Sequence, residues 1–328
     1  MDQALGWAQR SLWLTSPNPR VGCVLVNPAG HTIGQGHTQQ AGGPHAEVMA
    51  LRDAAAQGQS TAGATAYVTL EPCSHHGRTG PCCDALIQAG VRKVVASIAD
   101  PNPLVAGQGF ARLRAAGVDV EVGPGAAESR ELNIGFFSRM LRKTPWVRMK
   151  IAASLDGKTA LPDGTSQWIT SEAARTDGHA WRARACAVLT GIGTVLEDNP
   201  RLDVRLVDTP RQPIRVLVDS RLQVPLDAHI LRAKSPLYIY AAEQNDAKKS
   251  ALEALGATVI HLPNDQGKVD LAAMLRDLGE RQINELHIEA GAQLNGSLIR
   301  AGLVDEFLVY LAPKLIGAGR GMAEFGPL

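Results

Sequence analysis

The sequence lacks an excess of charge of either sign. Among its 328 residues, lysine and arginine number 33 and aspartate and glutamate number 32, which leaves a formal net charge of +1. A general nucleic-acid binder usually carries a basic excess or a basic stripe. We therefore expect no nucleic-acid partner and a small molecule as the substrate.

The sequence also lacks the features of an exported or membrane-bound protein. Its first residues show no basic region followed by an apolar run, and no apolar stretch is long enough to span a bilayer. Its five cysteines, an odd number, fit free thiols and metal ligands better than a disulfide framework. We expect a cytoplasmic protein without a membrane partner.

Helical and extended patterns alternate along the whole chain, which predicts an α/β protein. A polar segment that ends at Pro145 predicts a boundary between a domain over 1–143 and a second over 144–328. In the first domain we predict helices at 2–13, 45–52 and 110–116, and strands at 21–26, near 33, 66–70, 91–98 and 118–122. In the second we predict strands at 147–152, 187–190, 214–219, 237–240, 258–262, 285–289 and 306–311, and helices at 171–185, 247–255, 270–279 and 292–301.

A set of metal-binding residue types lies in the first domain. His45 opens a predicted helix with Glu47 two residues later, and Cys73 follows a predicted strand after Glu71-Pro72, with Cys82 further on. One imidazole and two thiolates can hold zinc and leave an open position, where the metal acidifies water. Glu47 would then carry the proton. This order of residues is the signature of zinc-dependent nucleoside and nucleobase deaminases.

The spacing of the cysteines departs from that signature. Deaminases usually have two residues between the cysteines, whereas eight residues separate Cys73 from Cys82. His75 and His76, within this insertion, are possible competing ligands, although we expect them to face the pocket. We interpret Cys83 as a structural thiol, and Cys23 and Cys186 as small buried residues.

Several further segments, read with this long spacing, resemble the bifunctional riboflavin-biosynthesis deaminase–reductase family. In the first domain they are Asn18-Pro19-Arg20-Val21-Gly22, Pro44-His45-Ala46-Glu47, the run from Thr69 to Thr79, and Asp100-Pro101-Asn102-Pro103. In the second they are the run from Lys150 to Gly157, the run from Ser166 to Thr170, the run from Asp198 to Leu202, Glu289-Ala290-Gly291, and Ala312-Pro313-Lys314. The resemblance covers nearly the whole chain.

The resemblance implies a first domain that is cytidine-deaminase-like, with α/β/α layers, and a second that is dihydrofolate-reductase-like. It implies deamination of a phosphoribosylaminopyrimidine, followed by NADPH-dependent reduction of the ribosyl group to a ribityl chain. It also implies a homo-oligomer. Members of the family normally continue beyond the point that corresponds to Leu328, so we expect a short C-terminus that leaves the reductase sheet incomplete.

Residues alone do not predict a nicotinamide cofactor, because no G-x-G-x-x-G follows a first strand, and Gly107-Gln108-Gly109 reads as a loop. A turn from Glu289 into a predicted helix is either an anion cradle or simple close packing. The resemblance implies NADPH contacts at Ala152, Trp168, Thr194, Asp198, Ser220, Gly291, Ala292, Gln293, Leu294, Asn295, Gly296 and Ser297. It implies substrate contacts at Lys150, Ser166, Arg182, Leu202, Arg205 and Glu289. Arg182 and Arg205 suit a phosphate, and Asp198 is the candidate for ring opening or protonation.

Two alternatives stay open at this point. The first is a cytidine or tRNA-adenosine deaminase joined to an inactive or unrelated domain. The second is a non-catalytic protein in which zinc is structural. Structural sites usually have four protein ligands, and the three counted here, His45, Cys73 and Cys82, favour an open catalytic site.

Overall fold

The computed structural model describes residues 1–74, 80–103, 105–166, 168–324 and 326. Within them the chain divides into two compact units, Met1–Lys143 and Thr144–Leu328. No helix among the described residues has the length and apolar character needed to cross a membrane.

The first unit is a five-stranded sheet flanked by helices. Its helices are α1 Asp2–Gln9, α2 Ala46–Ala56, α3 Cys82–Gln88, α4 Gln108–Ala115, α5 Ala126–Leu132 and α6 Ile134–Arg142. Its strands are β1 Gly22–Val26, β2 Thr32–His37, β3 Thr65–Val68, β4 Lys93–Ala96 and β5 Asp119–Val122. The sheet order is β2-β1-β3-β4-β5. The β1 strand pairs antiparallel with β2 and β3, whereas β3, β4 and β5 are parallel.

Apolar side chains from both faces of this sheet form the core of the first unit. The β1 residues Cys23 and Leu25 pack with Ala50 of α2 and Leu86 of α3, all fully buried. Cys23 therefore occupies the buried position expected for it. The helix α2 lies close against β2, because a Cβ on Gly34 or Gly36 of that strand would overlap Ala50 or Ala54 of the helix.

The second unit is built on a seven-stranded sheet in which every described pairing is parallel. Its strands are β6 Trp146–Ser154, β7 Lys158–Ala160, β8 Ala187–Gly191, β9 Ile214–Val218, β10 Leu237–Ala241, β11 Ala257–His261, β12 Glu285–Ile288, β13 Glu306–Ala312 and β14 Arg320–Gly321. Its helices are α7 Glu172–Arg184, α8 Ile192–Asp198, α9 Asp246–Ala254, α10 Leu271–Glu280 and α11 Ala292–Arg300. The large sheet has the order β11-β10-β9-β8-β12-β6-β13, and β14 pairs with β7.

Capping residues explain where three helices of the second unit begin. Ser171 accepts a hydrogen bond from the backbone N–H of the third residue after it at the start of α7, and Asn245 and Asp270 do the same for α9 and α10. Such side chains satisfy N–H groups that have no partner within the helix. The seven strands and four helices predicted for this half are all present.

Local signals failed in a few places. The predicted helix over 2–13 ends at Gln9 because the chain tightens into turns, in which the Arg10 N–H bonds to Trp7 and the Ser11 hydroxyl donates to the carbonyl of Thr38. The helices α3, α5, α6 and α8 were not predicted, since each is only two or three turns long. Residues 107–109, predicted as a loop, provide the cap and first turn of α4.

Gly22 should be intolerant of any side chain. A Cβ there would overlap the carbonyl oxygen of Ala4 and lie 2.6 Å from the amide nitrogen of Ala8. We expect Gly22→Ala to lower the free energy of unfolding by about 1–3 kcal/mol, as overpacking does. Urea denaturation measures this change.

Gly6 in α1 provides the matched control. A Cβ on Gly6 meets no atom within 4 Å, so Gly6→Ala should stabilise the protein by up to about 1 kcal/mol through helix propensity. Equal stabilities of the two variants would contradict the packing described for β1 and α1.

Candidate active sites

The three predicted metal ligands meet in the first unit. His45 is the residue before α2, Cys73 lies beyond the end of β3, and Cys82 is the first residue of α3. Their ligand atoms all lie within 4.8 Å of one another. The Nδ1 atom of His45 is 3.6 Å from Sγ of Cys73 and 3.3 Å from Sγ of Cys82.

This donor set fits a zinc ion. Zinc prefers nitrogen and sulfur ligands, and bonds of about 2.0–2.1 Å and 2.3 Å at a tetrahedral angle place the two donors about 3.6 Å apart. The Cys82 thiol hydrogen-bonds to Cys73, which lowers the pKa of Cys73 and raises the pKa of Cys82. Cysteine binds a metal as the thiolate, so zinc binding at this site would release the thiol protons. The histidines His75 and His76 lie outside the described residues.

Glu47 lies beside these ligands in the first turn of α2. Glu47 is only 3% exposed to solvent. Burial raises the pKa of its carboxyl group, and the negative charge of Cys73 raises it further. A carboxyl group with a raised pKa both takes and gives a proton near neutral pH, which is the property of a general acid–base.

Glu71, to which sequence reasoning gave no separate role, holds the end of β3 in place. Its buried carboxylate accepts backbone N–H groups of Gly109 at 3.0 Å and Phe110 at 3.3 Å through Oε1. Through Oε2 it accepts those of Asp100 at 3.1 Å and Gly107 at 2.9 Å. Because Gly107 caps α4, the negative charge also lies at the positive end of that helix.

Two further residues support the cysteines. The Arg112 guanidinium lies 2.6 Å from Oδ1 of Asp84 in α3 and donates to the carbonyl of Ser74 at 3.3 Å. The thiol of Cys83 donates to the carbonyl of Pro72 at 3.2 Å. Cys83 therefore fits the structural role expected for it, since its buried thiol is engaged with backbone carbonyls.

The second unit brings together three predicted substrate residues beside β12. Arg182 of α7 donates to Glu289 through Nε at 2.5 Å and Nη2 at 2.9 Å. Lys150 of β6 places its Nζ 3.7 Å from Oε2 of the same carboxylate. Burial alone would raise the pKa of Glu289, but the charges of Arg182 and Lys150 outweigh burial and hold this pKa well below its usual range.

The other predicted substrate residues differ in how free their side chains are. Arg182 also donates to the carbonyl of Asp203 at 2.9 Å, so its donors are used within the protein. Arg205 pairs with Asp203 at 2.6 Å and keeps a side chain that is 48% exposed, so it is better placed to meet a phosphate. Leu202 is buried in the core, and Ser166 is half-buried.

Several predicted NADPH contacts lie near the carboxyl ends of the parallel strands, the edge at which α/β sheets bind ligands. Ser220 follows β9, and Thr194 lies in α8 directly after β8. Gly291 caps α11, and a Cβ on it would lie 3.7 Å from Oγ1 of Thr194. Ala152 lies near the end of β6.

Other members of the predicted NADPH set are engaged elsewhere. Asn295 donates to the carbonyls of Ala290 and Met322, and a Cβ on Gly296 would overlap the backbone of Glu324. Close packing is therefore the role that the structure documents for these two residues. Trp168 is 60% exposed with the Arg175 guanidinium 4.5 Å from its ring centroid. Asp198 is exposed at the end of α8.

Comparisons with known proteins agree with this pair of sites. Residues 1–98 match the cytidine and deoxycytidylate deaminase zinc-binding region, and residues 145–327 match the RibD C-terminal domain. The chain is 48% identical to the riboflavin biosynthesis protein RibD of Escherichia coli over 98% of this chain and 89% of that protein. It is 41% identical to RibD of Aquifex aeolicus over 99% and 89%. The chain belongs to the RibD family.

Solved structures from this family have the same fold. RibD of Acinetobacter baumannii, 44% identical, superposes with a TM-score of 0.89 over 98% of this chain and 88% of that one. A deaminase/reductase of Thermotoga maritima, 32% identical, superposes with a TM-score of 0.87 over the same shares. Family membership confirms the predicted class, with a deaminase-like and then a reductase-like α/β domain. It also confirms a bifunctional enzyme of riboflavin biosynthesis with zinc and NADPH as cofactors.

The Glu71 interaction generates a stability prediction. In Glu71→Gln the amide NH2 replaces one acceptor and faces backbone N–H groups that then lack a partner. We expect the free energy of unfolding of the first unit to fall by about 1–3 kcal/mol, measured by chemical denaturation.

Glu121→Gln is the matched control, because Glu121 is exposed on β5, where its carboxylate pairs with Lys93 at 2.7 Å. Its loss should cost less than about 0.5 kcal/mol. Equal losses in the two variants would show that the four amides do not depend on the Glu71 charge.

Proposed function

We propose that the first unit deaminates 2,5-diamino-6-(5-phosphoribosylamino)pyrimidin-4(3H)-one and that the second reduces the ribosyl group of the product to a ribityl chain. The observation that supports this most directly is the convergence of His45, Cys73 and Cys82 beside a buried Glu47. The Thermotoga maritima relative is described as a deaminase and reductase of such phosphoribosylamino compounds. A homo-oligomeric state and a cytoplasmic location remain predictions from the sequence.

In the deaminase, His45, Cys73 and Cys82 would hold zinc. When bound, zinc supplies the Lewis acidity that makes water a nucleophile near neutral pH. Glu47 takes the proton of the attacking water and donates it to the departing amino group, so that ammonia leaves. Because the buried carboxyl has a raised pKa, both transfers occur without a large energetic mismatch.

In the reductase, Glu289 organises two cations. Its carboxylate holds Arg182 by two hydrogen bonds and leaves Lys150 at 3.7 Å, with the Lys150 side chain 23% exposed. When bound, NADPH would supply the hydride for reduction of the opened ribosyl group, and a protein acid or water would supply the accompanying proton. Lys150 hydrogen-bonds an oxygen of the ribosyl group, while Arg205 binds the 5-phosphate. The contacts proposed for NADPH are Ala152, Trp168, Thr194, Asp198, Ser220, Gly291 to Leu294 and Ser297, with Asp198 assisting ring opening or protonation.

Replacing Glu47 should separate the two activities. Glu47→Gln keeps the shape of the side chain but cannot accept a proton, so ammonia release from the diaminopyrimidine should fall by about 10²–10⁴-fold. Zinc content, measured by elemental analysis, should stay at the wild-type ratio, because Glu47 is not a ligand.

The control uses the same variant on the deaminated substrate. NADPH oxidation by Glu47→Gln should then match that of the wild-type protein. Wild-type rates of ammonia release would rule out Glu47 as the proton carrier. Activity on cytidine or tRNA alone would instead favour the alternative of a deaminase joined to an inactive or unrelated domain.

Lys150→Met should give the opposite pattern. Methionine keeps the length of the side chain but removes its donor, so NADPH oxidation with the deaminated substrate should fall by about 10²-fold or more. Ammonia release from the diaminopyrimidine should be unchanged. Lys249→Met, at an exposed lysine of α9 in the same unit, should oxidise NADPH at the wild-type rate; a similar loss in both variants would refute the role of Lys150.

A further inference from the structure

Lys150 has a second neighbour besides Glu289. Its Nζ lies 5.9 Å from the ring centroid of Tyr310 in β13. Tyr310 is the register partner of Ala152, and Lys150 lies two residues earlier in β6, so all three side chains are on one face of the sheet. The negative face of an aromatic ring attracts a cation at this distance.

Tyr310 is itself fixed in place. Its hydroxyl donates to Oδ2 of Asp177 at 2.5 Å. Asp177 lies on α7, the helix that also carries Arg182. The β13 strand is at the end of the sheet order, so this hydrogen bond ties the edge strand to the helix above the site.

The Tyr310 hydroxyl directs its proton at Asp177 and is a weaker acid than a free tyrosine. Burial raises the pKa of this hydroxyl, and the hydrogen bond to Asp177 raises it further. Tyr310 therefore stays neutral and keeps its proton directed at Asp177. Its ring, and not its hydroxyl, is the part that meets Lys150.

A lysine side chain needs such a neighbour to keep one position. It is a point charge on a flexible four-carbon stem, and the Glu289 carboxylate already has two hydrogen bonds from Arg182. At 3.7 Å, the Lys150–Glu289 contact is longer than a hydrogen bond and does not by itself fix the direction of the ammonium. The Tyr310 ring, on the neighbouring strand β13, limits the movement of the Lys150 ammonium.

We propose that Tyr310 is a positioning residue for the reduction, whose ring holds the Lys150 ammonium towards the substrate and whose own position is fixed by Asp177. This inference rests on the role proposed above for Lys150. It adds to the reductase two residues that act through Lys150 and not on the reacting atoms.

The test compares variants in the full-length enzyme with the deaminated substrate and NADPH. Tyr310→Leu should lower kcat about tenfold, with a change of less than about twofold in the KM for NADPH. Tyr310→Phe keeps the ring and should recover most of that loss, and Asp177→Ala should behave like Tyr310→Phe. Val309→Thr, on the opposite face of β13, should match the wild-type protein.

A double-mutant cycle distinguishes positioning from a general effect on stability. In the Lys150→Met background, Tyr310→Leu should change the residual rate less than about twofold. An equal tenfold loss in both backgrounds, or an unimpaired Tyr310→Leu variant of an active enzyme, would overturn this inference alone. Failure of the wild-type protein to oxidise NADPH would overturn the proposed function and this inference with it.

Discussion

Four backbone N–H groups converge on the buried carboxylate of Glu71, and the zinc-ligand region depends on this interaction. The carboxylate joins the end of β3 to the first turn of α4. Cys73, two residues after Glu71, is held in turn against α3, where its carbonyl and sulfur accept the N–H groups of Cys83 and Cys82. A buried charge is costly unless it is fully hydrogen-bonded. The Glu71 carboxylate therefore favours the arrangement of the surrounding loops in which all four N–H groups reach it.

In the second unit, side chains compensate the charge of a carboxylate that is largely shielded from solvent. The Glu289 side chain is only 15% exposed, but its charge is compensated by Arg182 and Lys150. His287 lies in β12, two residues before Glu289, and is fully buried. Its Nε2 atom is 3.5 Å from the same carboxylate, and burial lowers the pKa of this histidine to about 4. The neutral imidazole adds no further positive charge. The carboxylate of Glu71 is held by backbone N–H groups, whereas that of Glu289 holds the side chains of Arg182 and Lys150.

The predictability of each feature depended on whether its signal was local. The cluster of His45, Cys73 and Cys82 could be predicted because a metal site requires particular residue types in order. The sheet of the second unit could be predicted because its strands are short apolar runs. The role of Glu71 could not be predicted, because its partners are backbone N–H groups at 100–110. Every residue except proline has such a group, so the sequence does not reveal which ones bind. Tyr310 and Asp177, 133 positions apart, meet only through the pairing of β13 with β6. The reductase contacts could be predicted only from family resemblance. That resemblance includes Asn295 and Gly296, but it does not reveal that both pack against the backbone of this unit.

The all-parallel sheet of the second unit has a consequence for how the chain folds. Parallel neighbours cannot be joined by a tight hairpin, so each pairing needs a crossover. The partners of β6 lie far along the chain. Arg148 of β6, for example, donates a hydrogen bond to Glu285, which is 137 positions later. The first unit, in contrast, contains the β1–β2 hairpin. Because non-local pairings close slowly, the second unit should be the slower to fold. Its β6 strand, which lies next to the edge strand β13, is the first strand of the large sheet to be synthesised and gains its second partner only when β13 is made.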